Sequence, residues 1–201
     1  MVIDILHART NFQIIGITSN SKPSGEFFAG FRILGDDSIL SEYDPKTVQI
    51  AMGIGGFKTN SIREKAYSYI KSLGFTFVNV IHPTAIISRT CKLGEGIVIF
   101  PGVTLNTEVI IGNNTIIATG STVDHETVIG NNVLVSAGVT IGANSKIHDN
   151  SLIALGAKIV SGVDIGENVV VAAGAVVIND IGDNEIVYGI PANSKKKTNE
   201  E

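Results

Sequence analysis

From residue 81 to residue 182 the hydrophobic positions recur every six residues without a slip. Cut into sixes, the stretch gives seventeen units, from Ile81-His82-Pro83-Thr84-Ala85-Ile86 to Val177-Ile178-Asn179-Asp180-Ile181-Gly182. The first position is Ile, Leu or Val in every unit. The fifth is small or aliphatic, from Ala85 and Cys91 through Val103 and Ser121 to Ile181. The fourth is mostly Gly or Asn, as at Gly96, Gly102, Asn114, Asn132 and Gly138. No helix repeats at six, and a plain strand alternates at two. A fixed short period means one small unit stacked many times. Six residues suit a short strand and a tight corner, with the first and fifth side chains inside. Gly or Asn at the fourth supplies left-handed backbone for the corner. Three sides close a triangular coil of eighteen residues, so the seventeen units make between five and six coils. Coils rise by about 4.8 Å, the spacing of hydrogen-bonded strands. Residues eighteen apart therefore stack.

Residues 1–80 lack this period. Residues 2–8 predict a short helix, 12–17 a strand, 19–25 a polar loop with a proline, and 31–35 a short strand. A short helix is expected over 36–42 and a buried strand over 47–52. Residues 60–74 read as a helix with a polar start and a Gly stop, and 75–80 lead into the coils. Strands alternating with helices predict a small parallel α/β domain.

The chain's 201 residues are enough for one or two domains with a real core. A net charge of −4 argues against a nucleic-acid surface. No apolar run reaches membrane-span length, and Met1-Val2-Ile3-Asp4 has no basic region of a signal peptide. The default compartment is the cytoplasm. The single cysteine, Cys91, excludes an internal disulfide and falls on an inward position, as a packed thiol does.

Of four histidines, His7 and His148 are expected to face solvent, and His82 to cap the start of the coils. His125 differs. In Val123-Asp124-His125-Glu126-Thr127-Val128 it stands outward at a corner, with an acid on either side. Acyl transfer from a thioester to an amine or hydroxyl needs one proton removed during attack. An imidazole with a pKa near about 6.5 does this at neutral pH. A carboxylate fixes its tautomer and stabilises the imidazolium. An exposed polar corner residue is the alternative. Gly53-Ile54-Gly55-Gly56 follows a predicted strand, so it either lines a phosphate site or is a flexible turn. Arg63, early in the next helix, reads as a nucleotide contact or as an exposed helix arginine.

The hexapeptide pattern over residues 81–192 resembles the left-handed β-helix of hexapeptide-repeat acyltransferases, and the handedness comes from that resemblance. A solenoid serving only as scaffold is the alternative. The phrases Met1-Val2-Ile3-Asp4-Ile5-Leu6, Ile15-Gly16-Ile17, Ile33-Leu34-Gly35-Asp36, Ile50-Ala51-Met52-Gly53 and Ile81-His82-Pro83-Thr84-Ala85 resemble the PglD/NeuD-like sugar acyltransferases. The resemblance implies an α/β domain over 1–80 that binds a nucleotide sugar, a β-helix acyltransferase domain over 81–182, and a C-terminal segment over 183–201. It implies His125 as general base and Glu126 as the carboxylate assisting it. One coil on, beside Gly142, the Ala143 N–H is where the family holds the thioester oxygen, a task suited to fixed backbone donors. Gly189-Ile190-Pro191-Ala192 resembles the family's closing motif near the adenine end of coenzyme A, where Lys195, Lys196 and Lys197 would meet phosphates or form a solvated tail. Gly53, Gly55, Arg63 and Asp124 are the candidate substrate contacts. The donor would be acetyl-CoA, the acceptor a nucleotide-linked amino sugar, and the assembly a homotrimer; no metal is expected. An O-acetyltransferase for another small hydroxyl acceptor and an inactive trimeric relic are the alternatives.

The sequence departs from that family in four places. Relatives open with a strand and a Gly-rich turn; this chain begins on the first helix. The expectation is an α/β domain lacking its first strand, with Met1 an internal methionine, the acetyl-CoA site intact and nucleotide binding weakened. Thr18-Ser19-Asn20 stands where relatives often carry acids. Leu134 stands at the position of a second family histidine, and Ala118 at that of an asparagine.

Overall fold

The structure is a computed structural model that describes residues 1–8, 12–56 and 61–197. From Val80–Ile81 onward the chain lays down two-residue parallel strands at a spacing of six residues. Each pairs with the strand eighteen residues away, as Thr104↔Thr122, Ile110↔Val128 and Ile116↔Leu134 do. The strands form three faces of a left-handed β-helix. The first face runs from Ile86–Ile87 to Val176–Val177, the second from Lys92–Leu93 to Asp164–Ile165. The third begins at Val80–Ile81 and continues past Val170–Val171.

First- and fifth-position side chains fill the coil as their spacing dictates: Ile99, Val103, Val135, Val139, Ile153 and Ala157 are completely enclosed. Polar residues at the fifth position stay inside by bonding to carbonyls, as Ser121 Oγ does to Ser136 O at 2.8 Å and Thr115 Oγ1 to Gly130 O at 2.8 Å. Cys91 packs half-buried, its thiol directed at Asn106 O at 3.1 Å. Fourth positions take the left-handed conformation, Gly102 at φ 69° and Asn132 at φ 56°, but Glu108 and Glu126 do so as well, at 60° and 59°.

In the N-terminal part, helix α1 is Val2–His7 and helix α2 is Ser61–Ser72; residue 60, included in the predicted helix, lies outside the described residues. The strands are β1 (Ile17–Thr18), β2 (Phe27–Phe28), β3 (Phe31–Gly35), β4 (Gln49–Ile50) and β5 (Thr76–Phe77), with a 3₁₀ helix over Asp37–Glu42. The expected strands at 12–17 and 47–52 thus shrink to two residues each. The expected parallel pairing is present, divided between two small sheets, β1-β3-β2 and β4-β5. β2 was not foreseen and joins β3 in an antiparallel hairpin, turned by Ala29 and Gly30 at φ 48° and 84°. Such short pairs are held by what they pack on rather than by their own ladders.

This region sits on the third face. Ile5 and Leu6 of α1 close over Val80, Val98, Ile116 and Leu134, the outward side chains of that face. On the first and second faces most of the corresponding residues are exposed, as at Ile86, Lys92, Lys146 and Lys158. At the C-terminal end the chain does not leave the stack. Glu185–Tyr188 extends the third face in parallel, and Asn193–Lys197 returns beside it antiparallel.

Candidate active site

His125 lies in the corner between first-face strand Thr122–Val123 and second-face strand Val128–Ile129, exposed as its position requires. Its Nδ1 is 3.0 Å from Glu126 Oε2. A carboxylate only accepts, so Nδ1 carries the proton there and Nε2 keeps a free lone pair toward solvent. Asp124 Oδ1 accepts the His125 backbone N–H at 2.8 Å and the Asn106 amide at 2.9 Å. The Asn106 amide and then the His125 N–H hold the Asp124 carboxyl below its usual range. Asp124 is thereby a brace for the corner, with Glu126 facing the imidazole.

Ala143 stacks one coil beyond His125, and Asn144 N–H donates to His125 O at 3.0 Å. The Gly142 N–H is spent on Ile159 O at 2.9 Å. Among the described residues nothing accepts the Ala143 N–H. A base with a free nitrogen and an unclaimed backbone donor on the next coil give the two groups that acyl transfer needs.

The remaining candidates lie elsewhere. The 189–192 turn is at the far end, on the corner between third and first faces, anchored by Val176 N–H to Gly189 O at 3.0 Å and Ala192 N–H to Val176 O at 2.8 Å. The Lys195, Lys196 and Lys197 side chains fall outside the described residues. Gly53, Gly55 and Arg63 line a cavity of about 330 Å³ between the N-terminal region and the third face. Its opposite wall is Phe100, Ile116, Ala118, Leu134 and Ser136. Ala118 and Leu134, the positions where the sequence departs from the family's Asn and His, both lie on this wall facing the glycine loop. Neither Gly53 nor Gly55 has left-handed backbone, and a Cβ on either would meet open space. The fold therefore does not demand glycine there; close approach of a ligand would.

Arg63 was expected to be exposed or to face a nucleotide. It is instead 2% exposed. Its Nε donates to Asn114 O at 3.1 Å, Nη2 to Gly96 O at 3.0 Å, and Nη1 to Ile54 O. Burial draws its pKa down to about 10. A second group that the sequence did not suggest is Glu95, which accepts from Tyr67 Oη and holds Lys71 Nζ, each at 2.7 Å. His82 caps the first coil, its Nδ1 accepting the Thr84 N–H at 3.2 Å. His148 is exposed and paired to Asp164 at 2.9 Å, in a shallow acidic depression whose Asp180 and Asp183 close the last coil by accepting backbone N–H groups.

Fold and site together define a left-handed β-helix acyltransferase with an α/β region on one face. The model of the PglD N-terminal domain matches residues 1–70. PerB from Caulobacter crescentus, solved with CoA and GDP-perosamine, is 30% identical over 97% of this chain and 91% of that one, with a TM-score of 0.79. A histidine-to-alanine variant of GDP-perosamine N-acetyltransferase from the same organism, also with CoA and GDP-perosamine, gives 29% identity, 98% and 91% coverage and a TM-score of 0.87. The acetyltransferase domain of PglB from Neisseria gonorrhoeae, with acetyl coenzyme A, gives 27%, 96% and 92%, and 0.88. The chain belongs to the PglD/NeuD-like family of sugar acyltransferases.

Proposed function

We propose that this protein transfers the acetyl group of acetyl-CoA to the amino group of a nucleotide-linked sugar, in the cytoplasm, as a step in surface-polysaccharide or glycan synthesis. The observation that carries the reading is the His125–Glu126 pair beside the unclaimed Ala143 N–H. In the proposed step the acceptor amine attacks the thioester carbonyl and His125 Nε2 takes its proton. Ala143 N–H donates to the oxygen as it gains charge. The carbonyl then re-forms, the C–S bond breaks, and the imidazolium returns the proton to the departing thiolate. Glu126 holds the imidazole by Nδ1–H throughout and favours its charged form. The same chemistry in the relatives, which carry CoA with GDP-perosamine or acetyl coenzyme A, supports both substrates.

The roles divide along the chain: residues 1–80 for the nucleotide sugar, 81–182 for acyl transfer, and 183–201 for the adenine end of coenzyme A. Within one chain, however, the cavity opens on the third face and its corner with the first, while His125 occupies the opposite corner. A base cannot act on an amine across the coil. We therefore propose a homotrimer in which His125 of one copy faces the cavity of the next. The test is thiol release from acetyl-CoA with GDP-perosamine and UDP-linked amino sugars as acceptors. His125→Ala is expected to lower kcat by about 10²–10⁴ without loss of folding. Near-normal turnover by that variant would remove His125 from the mechanism.

A further inference from the structure

Arg63 is a buried cation. Among the described residues no carboxylate lies within ion-pair distance, and its three acceptors are all main-chain carbonyls. Two belong to successive coils. Gly96 and Asn114 are both fourth-position residues, eighteen apart, and the coil ladder passes over their carbonyls: it uses the first-, third- and fifth-position ones, as Gly94 N–H to Ile111 O, Asn114 N–H to Glu95 O and Val98 N–H to Thr115 O show. Water can serve such carbonyls on an open corner. Here α2 covers the corner, and a planar fork with several donors is the side chain that can reach both. The third acceptor, Ile54 O, belongs to the glycine loop that forms one wall of the cavity.

We propose that Arg63 is a positioning residue for the acceptor: its guanidinium fixes the 53–56 loop against the β-helix and so sets the gap the nucleotide sugar enters. The rest of the loop supports this. Gly53 and Gly55 have no side chains and no packing neighbours at their Cβ positions. Through Arg63, Ile54 O is tied by one side chain to the coil carbonyls of Gly96 and Asn114. Leu or Met would fill Arg63's volume but leave two buried carbonyls and the half-buried Ile54 O without donors. Lys would keep the charge with one short-reach head in place of a fork.

The proposal rests on the reading that the cavity takes the nucleotide sugar, and two readouts separate the two ideas. The first needs no substrate: amide exchange in Arg63→Met and Arg63→Lys is expected to rise at least tenfold at residues 54–56, while the strands Ile116–Ile117 and Leu134–Val135 keep their protection. The second is kinetic: KM for GDP-perosamine, or for whichever UDP-linked amino sugar the wild type acetylates, should rise at least tenfold in Arg63→Met and at least threefold in Arg63→Lys. KM for acetyl-CoA should stay within twofold. If Arg63→Met does not fold, Arg63→Lys decides by the same measures. Unchanged loop exchange, or both KM values moving together, would reduce Arg63 to a staple between the two parts of the chain and overturn the proposal. Raised loop exchange with no acceptor turned over by the wild type would retain the tie and overturn the substrate reading.

Discussion

The left-handed backbone at Glu126 gives a test in which stability and activity should move in opposite directions. A non-glycine residue held there costs about 1–2 kcal/mol. The coil asks for this conformation at the fourth position, and Asn114, Asn132, Asn144, Asn150 and Asn168 meet it with a residue enriched in that region. Glu126 meets it at φ 59° with a side chain that gains nothing from the conformation itself. Its return is the carboxylate 3.0 Å from His125 Nδ1. Glu126→Asn should therefore recover roughly half the strain, about 0.5–1 kcal/mol. At ~2–4 °C per kcal/mol for a chain of this size, Tm should rise by about 1–4 °C. kcat should fall. The imidazole would lose the group that fixes its tautomer and stabilises its cation; because both side chains are about half exposed, at 48% and 51%, we expect about 10–10²-fold rather than more.

Glu108 supplies the control. It occupies the same position one coil earlier, at φ 60°, exposed, with no histidine beside it. Glu108→Asn should gain the same few degrees with kcat unchanged. Thermal melts and thiol-release kinetics on both variants complete the experiment. A Glu126→Asn enzyme with kcat within twofold of wild type would show that the carboxylate does not assist His125. A Tm that rises in Glu108→Asn and falls in Glu126→Asn would show that strain is not what the two positions share.

Two further outcomes follow from the contacts described. Gly55→Ala meets no protein atom and should leave Tm unchanged or slightly raised, since the unfolded chain loses freedom, while KM for the acceptor rises several-fold; a KM equal to wild type would take the loop out of acceptor binding. Burial raises the Glu95 carboxyl's pKa, but bonds from Lys71, Tyr67 and the Phe77 N–H outweigh it and leave it below its ordinary value, so its stabilisation is full above the unfolded carboxylate range and is lost as pH falls through the lowered folded value. Melts of Glu95→Gln should thus lie about 1 kcal/mol below wild type at pH 7 and converge with it in acid, once pH is below the lowered folded value; a gap that persists there would refute the assignment.

The coils were legible because each demands the same few residue types at the same places. Enclosed first positions, turning fourth positions and an acid-flanked outward histidine all follow from counting sixes from Ile81. The N-terminal strands were not legible in extent. Ile17–Thr18 and Gln49–Ile50 are too short for alternation to mark their ends, and packing on the third face decides where they pair. Arg63 was misread for a different reason. Its place early in a helix carries the signal of a solvated arginine, and its partners at Gly96 and Asn114 lie 33 and 51 residues away as main-chain carbonyls. No side-chain pattern announces an acceptor that every residue possesses. Leu134 and Ala118 could be singled out by resemblance, but only the fold puts them opposite Gly53 and Gly55.

The two corners of the second face differ in a way that favours the proposed site at His125 and Ala143. At the corner with the third face, third-position residues close on one another: Glu95 N–H donates to Asn113 Oδ1 at 2.9 Å, Asn113 N–H to Asn131 Oδ1 at 2.8 Å, and Asn131 N–H to Asp149 Oδ1 at 2.7 Å. Each side chain takes the donor of the coil below, so the N–H groups of Glu95, Asn113 and Asn131 are not left for a ligand. At the corner with the first face the stacked residues are Thr107, His125, Ala143 and Ser161. His125 N–H is taken by Asp124 of its own coil. Alanine at 143 has no side chain to reach down, and among the described residues Ser161 does not accept from Ala143. The same backbone is thus self-capped on one edge and open on the other. An oxyanion site needs donors fixed in advance and otherwise unused. The β-helix provides the first everywhere, and the lack of an Asn or Asp at residues 125, 143 and 161 of this stack provides the second.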